Sequence, residues 1–422
     1  MAVSYSNKNA VKRTARCRLV KFIIVVGDGM ADYPIQHLGG KTPLQVADHP
    51  NMDEIVSKGS YGTLKTVPDD MESNTDVAVL SVLGYNPRRH YPGRGPLEAA
   101  SMGVKLSDDD IAFRFNLITE KDGVLEDFSA GHIETEEARE LVKAIDEHLG
   151  SSEIRFYSGV DYRHLLVLRG RAYSDKVRPF APHYAVGKRI DEIKATPLTE
   201  RGTRTANLLN GLIAKSKEIL SDHPVNLRRV RAGKKPANMI WPWSPGRKPN
   251  FPTLKDMYNL RGAVISAVDV VNGIGACTGM DIIRVPGATG YFDTNYEGKA
   301  KYAVESLEDH DLVFVHVEAP DEAGHMGDSE LKIRAIEDLD KRLLGNIMNG
   351  IQQDYTIAIL ADHMTPVSVR NHTSDPVPFA VYFTKDEKKN RVRHFDEESV
   401  RNGKKIRRGY NFLPFFLRCG SR

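Results

Sequence analysis

Short apolar runs recur along the chain, and several of them stop abruptly at polar clusters. Phe22 to Val26 ends at Gly27-Asp28-Gly29, "DLVFVHV" ends at "EAPDEAGH", and "YTIAILA" ends at Asp362-His363. Runs of this length without polar alternation predict strands buried on both faces, as in a parallel sheet. Helical patterns lie between them. Asn51 to Lys58 predicts a short helix that exits at Gly59, 76–85 a buried helix that breaks at Gly84, and "SELKIRAIEDLDKRLLGNIM" an amphipathic helix. The middle of the chain has another texture. "IAFRFNLIT" and "IRFYSGVDYRHLLVL" alternate like half-exposed strands around a charged helix at 135–148, and a long helix is expected at 203–220. The stretch 238–252 carries Pro242, Pro245, Pro249 and Pro252, which predicts neither helix nor strand. The expected fold is therefore α/β: one domain, 21–105 and 256–422, split by an inserted α+β domain at 106–255. In such a sheet, strand-end residues gather at one edge, where ligands bind.

Composition narrows the function classes. The 422 residues carry a formal charge of +3, so electrostatics makes no case for a nucleic-acid partner. No apolar run approaches the roughly 20 residues of a membrane helix. Cys17, Cys277 and Cys419 form no metal motif, and their odd number argues against a disulfide framework, which fits a reducing, cytoplasmic setting. Residues 1–20 are basic, with Lys8, Lys12, Arg13, Arg16 and Arg18, and are expected to be a disordered, solvated tail rather than a secretory signal. Nothing in the sequence fixes an oligomeric state.

The strand ends carry the chemistry. One offers Asp28, the next Asp321 and His325, and the third Asp362 and His363, with His372 close behind. Asp321 and His325 share a face if their segment is one helical turn. Singly, such residues are usually caps or turn residues. Jointly, three Asp and three His suit two divalent ions, which points to a hydrolase or phosphotransferase. "DDMESNTDVAVL" supplies a hydroxyl, Ser73 or Thr75, just before a helix; either could attack phosphorus or simply cap the helix.

The segments "GDGMADYPI", "GGKTPLQVADHPNMDEI", "GYNPRRHYPGRGPLEAASMGV", "SAGHI", "YRHLLVL", "GATGYFDTNYEGKAKYA", "EAPDEAGHMGD" and "DHMTPVSVRNHTSDPVPF" together resemble the archaeal-type cofactor-independent phosphoglycerate mutases of the alkaline-phosphatase-like superfamily. The resemblance runs from about 21 to 415. It implies an alkaline-phosphatase-like core domain and interconversion of 3- and 2-phosphoglycerate without 2,3-bisphosphoglycerate. A neighbouring branch, described as proposed homoserine kinases, supplies an alternative, as does a metal-dependent phosphatase. The family pattern places the nucleophile at Thr75 rather than Ser73, a departure from mutases that use serine. It implies one ion on Asp28, Thr75, Asp362 and His363 and another on Asp321, His325 and His372, the ions being manganese, or zinc or magnesium. Thr75, Lys299 and Arg94 become the catalytic set, and His132, Arg163, Arg114, Arg94 and Lys299 the contacts to a small phosphorylated hydroxy acid. For Arg114 a purely structural salt bridge is an equal expectation.

Overall fold

The computed structural model describes residues 20–420. The basic tail expected at 1–20 lies outside the described residues except for Val20. The chain divides into two compact units, one formed by the residues up to Tyr91 together with Phe251 onward, the other by Pro92–Asn250.

The first unit is built on an eight-stranded sheet. Its order is Asp281–Ile282, Gly262–Ile265, Leu312–Val317, Lys21–Gly27, Tyr355–Ala361, Val377–Phe383, Ser60–Leu64, Lys404–Ile406. The central three strands are parallel. Ile23, Ile24, Val25 and Val26 are fully buried, as the unbroken apolar run predicts. Each such side chain contributes roughly 1.5–3 kcal/mol by burial. Register aligns the ends of these strands. Gly27 lies opposite both Val317 and Ala361. The next residues, Asp28, Glu318 and Asp362, therefore leave the sheet at one level.

The second unit has its own antiparallel sheet, in which Ile111–Lys121 pairs with Val124–Asp127, Arg163–Leu168 and Met239–Arg247. The helices Thr135–Leu149 and Thr203–Leu220 bury Leu141, Ile145, Leu209 and Leu212 against Phe113, Phe115 and Leu166. The unit begins at Pro92, earlier than the change of texture near 106, because Arg94–Ser101 is a helix whose Ala99 packs with Ala112, Leu165 and Val167. Gly95 allows that approach: a Cβ there would collide with the Ala112 carbonyl.

One expectation fails. Met239–Arg247 is a strand despite Pro242 and Pro245. Pro242 lies opposite Phe115 and Trp243 opposite Arg114, but Pro245, not Ser244, lies opposite Phe113. Ser244 is thus an extra residue, with φ at +47°. Only alternate residues of an antiparallel strand donate to their partner. The bulge puts both prolines in the same phase, where neither has to donate.

His49, just ahead of the Pro50–Lys58 helix, gives a pH-dependent contribution to stability. Its Nε2 donates to the Leu44 carbonyl at 2.7 Å, and its Nδ1 is 3.1 Å from Asp53 Oδ1. Burial disfavours the imidazolium, but these two partners outweigh it and raise the pKa from 6.5 to about 9. A raised pKa stabilises the fold fully below about pH 6.5 and is lost as pH rises through about 9. The urea midpoint should fall across that window and do so less in His49→Gln. Equal pH dependence in the two proteins would refute the assignment.

Candidate active site

Asp28 follows the central strand, and its backbone N–H donates to the Val317 carbonyl of the neighbouring strand. The glycine after it has a concrete cause. Gly29 has φ +57°, its N–H donates to Asp362 Oδ1 at 3.2 Å, and a Cβ would collide with Asp321 Oδ1 and Thr365 Oγ1. Chain reversal beside two carboxylates leaves no room for a side chain.

Thr75 is the first residue of the helix Thr75–Val82, whose eight residues are all buried. The cap position belongs to Asn74, so the Thr75 hydroxyl is not acting as the cap. Instead Thr75 Oγ1 lies 3.4 Å from Asp28 Oδ2 and 3.3 Å from His363 Nε2. Ser73, two residues earlier, donates its hydroxyl to the Thr373 carbonyl at 2.7 Å. The two hydroxyls left open by the sequence thus have different surroundings, and only Thr75 reaches the acid–histidine cluster.

Around Thr75, His363 Nε2 is 3.2 Å from Asp28 Oδ1 and 3.5 Å from Asp362 Oδ2. Next to this group, Asp321 and His325 do share a face of the helix Ala319–Met326, with His325 Nε2 3.1 Å from Asp321 Oδ2. His372 Nε2 lies 2.9 Å from His325 Nε2 and 3.5 Å from Asp321 Oδ1. The rings of His363 and His372 stack at 4.0 Å, joining the two groups. Outward nitrogens are held by backbone: His372 Nδ1 by the Ser73 carbonyl at 2.7 Å, His325 Nδ1 by that of Arg370 at 3.1 Å.

The electrostatics suit cations. Burial, followed by the charges of Asp362, Asp321 and Glu318, pushes the Asp28 carboxyl well above its ordinary pKa. Burial also disfavours ionisation of Asp321, but His325 and His372 outweigh it and hold that carboxyl well below the usual range. Burial, then His372, pushes His363 far down. Asp28 Oδ1 and Asp362 Oδ2 are buried yet accept no hydrogen bond, and two imidazole nitrogens face each other at 2.9 Å. Buried lone pairs normally have partners. Asp28, Asp362 and His363 can place ligand atoms within 4.8 Å of one another, as can Asp321, His363 and His372. A hard-to-borderline donor set of this kind fits divalent ions.

Several residues of the site are not evident from the sequence. His316 Nε2 is 3.1 Å from Asp28 Oδ2, and Asp28, His316 and Glu318 form a third acid–histidine group. A histidine inside the otherwise apolar run "LVFVHV" is the one visible signal. Lys299, which the sequence did point to, lies beside this group: it is buried, donates to the His316 carbonyl at 3.1 Å, and has its pKa lowered by burial to about 8. Thr365 Oγ1 donates to Asp321 Oδ1. The loops after the central strand and after Tyr355–Ala361 are tied by a buried pair: Lys332 Nζ donates to Asp32 Oδ2 at 2.7 Å and to the carbonyls of Ala31 and Thr365 at 3.2 and 2.9 Å. Lys332→Met strands the Asp32 carboxylate, which should cost about 3–5 kcal/mol. Urea unfolding of Lys332→Met beside Lys332→Met/Asp32→Asn checks this: the second change should restore part of the loss, and no loss in the single variant would refute it.

The remaining expected residues lie in the second unit. Arg94 and Arg114 flank the Trp243 ring at 5.7 and 5.1 Å. Arg114 is buried and pairs with Glu98 at 3.0 Å, so the structural role expected for it is present. Arg163 stacks over Tyr162 at 5.4 Å, and the His132 ring meets Tyr162 edge-on at 6.2 Å. Ala130, Gly131 and His132 are all left-handed, with φ 51°, 64° and 51°. Buried Arg229 clamps this strained turn, donating to the Ala130 carbonyl at 2.6 Å and to Glu137.

Residues 56–226 match the family described as 2,3-bisphosphoglycerate-independent phosphoglycerate mutase, and 194–408 match type I phosphodiesterase / nucleotide pyrophosphatase. A Methanosarcina barkeri protein named 2,3-bisphosphoglycerate-independent phosphoglycerate mutase is 49% identical over 387 residues, which is 91% of this chain and 96% of that one. The chain belongs to the 2,3-bisphosphoglycerate-independent phosphoglycerate mutases. Two solved structures share its fold. One, a Pyrococcus horikoshii protein, has a TM-score of 0.80 at 30% identity, covering 95% of this chain and 97% of that one. The cofactor-independent phosphoglycerate mutase of Thermoplasma acidophilum has a TM-score of 0.64 at 32% identity, covering 95% and 99%. The α/β core with an inserted α+β unit is thus the mutase fold, and this fold implies divalent-metal binding, for which the donor groups are present. Among the described residues, no helix is long and apolar enough to cross a membrane.

Proposed function

We propose that this chain interconverts 3-phosphoglycerate and 2-phosphoglycerate, without 2,3-bisphosphoglycerate, through a phosphothreonine at Thr75. The observation that carries the reading is the placement of the Thr75 hydroxyl between Asp28 and His363. Asp28, Thr75, Asp362 and His363 would hold one divalent ion and Asp321, His325 and His372 the other. Manganese is the proposed metal, with zinc or magnesium as alternatives. When bound, the ions supply positive charge that offsets the phosphoryl oxygens and favours the ionised threonine hydroxyl.

Thr75 Oγ attacks phosphorus in line, the bond to O3 of the substrate breaks, and the threonine proton goes, in net terms, to that departing oxygen. O2 of the retained glycerate then attacks the phosphothreonine, and the Thr75 hydroxyl is regenerated. Lys299, only weakly resistant to losing its charge inside the fold, balances phosphoryl charge together with Arg94. Arg114, Arg163 and His132 take the carboxylate and hydroxyl groups, the planar guanidinium being suited to a carboxylate. The names of the relatives favour this reaction over a homoserine kinase-like phosphotransfer. An enolase-coupled assay on 3-phosphoglycerate, free of 2,3-bisphosphoglycerate, tests it, with homoserine plus ATP and release of inorganic phosphate measured in parallel. Turnover only with homoserine and ATP, or only phosphate release, would overturn the mutase reading.

A further inference from the structure

The first unit contains a second group of cations, apart from the acid–histidine cluster. A cavity of about 80 Å³ is lined by Lys65, Arg88, Arg407 and Arg408. Two of these are already paired: Lys65 with Asp69 at 2.7 Å, and Arg88 with Asp70 at 2.6 Å. Arg407 and Arg408 are exposed residues at the rim, and their side chains make no hydrogen bond or ion pair among the described residues, so two of the four cations have no acid partner. Thr66 and Ser81 also line the cavity. Both are 1% exposed, and neither hydroxyl has a hydrogen-bond partner. Gly409 sits between them: a Cβ there would lie 2.7 Å from Ser81 Cβ and 2.9 Å from Thr66 Cα. The backbone at Gly409 is thus pressed against the residues that carry the two hydroxyls, and it follows directly on the two arginines.

A buried hydroxyl without a partner costs about 1–3 kcal/mol, and two of them on residues that line the same cavity as two unpaired guanidinium groups suit an oxyanion. The volume limits what can enter. We infer that this cavity binds a phosphate group, held by Arg407 and Arg408 with Thr66 and Ser81 donating from beneath. The group is either free inorganic phosphate or the head of a phosphomonoester whose remainder stays in solvent. Ser81 belongs to the helix that begins at Thr75, so the ligand would fasten the Arg407–Arg408 segment to the nucleophile's helix.

The metal-loaded protein is dialysed to equilibrium against radiolabelled inorganic phosphate. Two classes of bound phosphate are expected, and Arg407→Ser/Arg408→Ser should weaken one of them by roughly tenfold or more. Arg89→Ser, which removes an exposed neighbouring charge outside the cavity, should leave both classes intact. Thr66→Val should weaken the same class and raise the melting temperature of phosphate-free protein, since it removes an unpaired buried hydroxyl. Competition with glycerol phosphate distinguishes the sources: displacement of the arginine-dependent class identifies a phosphomonoester head, and no displacement identifies free phosphate. One class only, or two classes unchanged in the double arginine variant, overturns the inference. Mutase turnover of the arginine variant is read in the same preparation and should stay within about twofold, so failure of the phosphate site and failure of the proposed reaction are separable.

Discussion

Thr75→Ala should lose mutase turnover by roughly 10⁴-fold or more, the scale seen when a nucleophile acting within a catalytic unit is removed. The same change should cost the fold only about 1 kcal/mol. Its hydroxyl contacts are long, 3.4 and 3.3 Å, and the helix cap position belongs to Asn74. Thr75→Ser should retain activity within about tenfold, because the attacking oxygen returns without its methyl. Ser73→Ala should keep most turnover, its hydroxyl being occupied by the Thr373 carbonyl. Intact mass after brief exposure to 3-phosphoglycerate and acid quench, followed by peptide mapping, decides the matter. One phosphate on Thr75 is expected. Label on Ser73 would move the nucleophile, and undiminished turnover by Thr75→Ala would remove the phosphoenzyme altogether.

Chelation should abolish turnover, and two divalent ions per chain should restore it. The buried oxygens of Asp28 and Asp362 that accept no hydrogen bond are what the proposed ions would satisfy. Because ions bind only the assembled cluster, loading should also raise the melting temperature in a concentration-dependent way. His325→Ala should lower occupancy at one position while circular dichroism stays unchanged, since its side chain is about one-third exposed. Full activity under chelation, or a stoichiometry below two after reconstitution, would refute the binuclear arrangement.

The strands were legible because each is apolar on both faces and ends in a carboxylate or histidine, a pattern that survives without knowing which strands are neighbours. Pairing was not legible. That Leu312–Val317, Lys21–Gly27 and Tyr355–Ala361 adjoin, bringing Asp28, Asp321 and Asp362 to one edge, depends on contacts distant in sequence. The prolines of Met239–Arg247 mislead because local propensity cannot foresee a bulge that rephases a strand. His316 is hidden inside an apolar run, and Lys332 looks like the polar face of an amphipathic helix although it is buried against Asp32. From the residues alone Thr75 and Ser73 are equivalent, because only the folded chain sets one hydroxyl beside Asp28 and His363 and the other on the Thr373 carbonyl.

The central position of Lys21–Gly27 also governs how the chain can be made. This strand leaves the ribosome well ahead of both its sheet neighbours, which begin at Leu312 and Tyr355 and emerge only after the whole of Pro92–Asn250. At roughly 5–20 residues per second it waits some tens of seconds, its apolar faces uncovered, while the strands of Pro92–Asn250 can already pair among themselves. Translation that stops before Leu312 yields a nascent product in which the apolar run Phe22–Val26 has neither of its sheet neighbours. Such truncated chains should need a chaperone or protease rather than persist as inactive fragments.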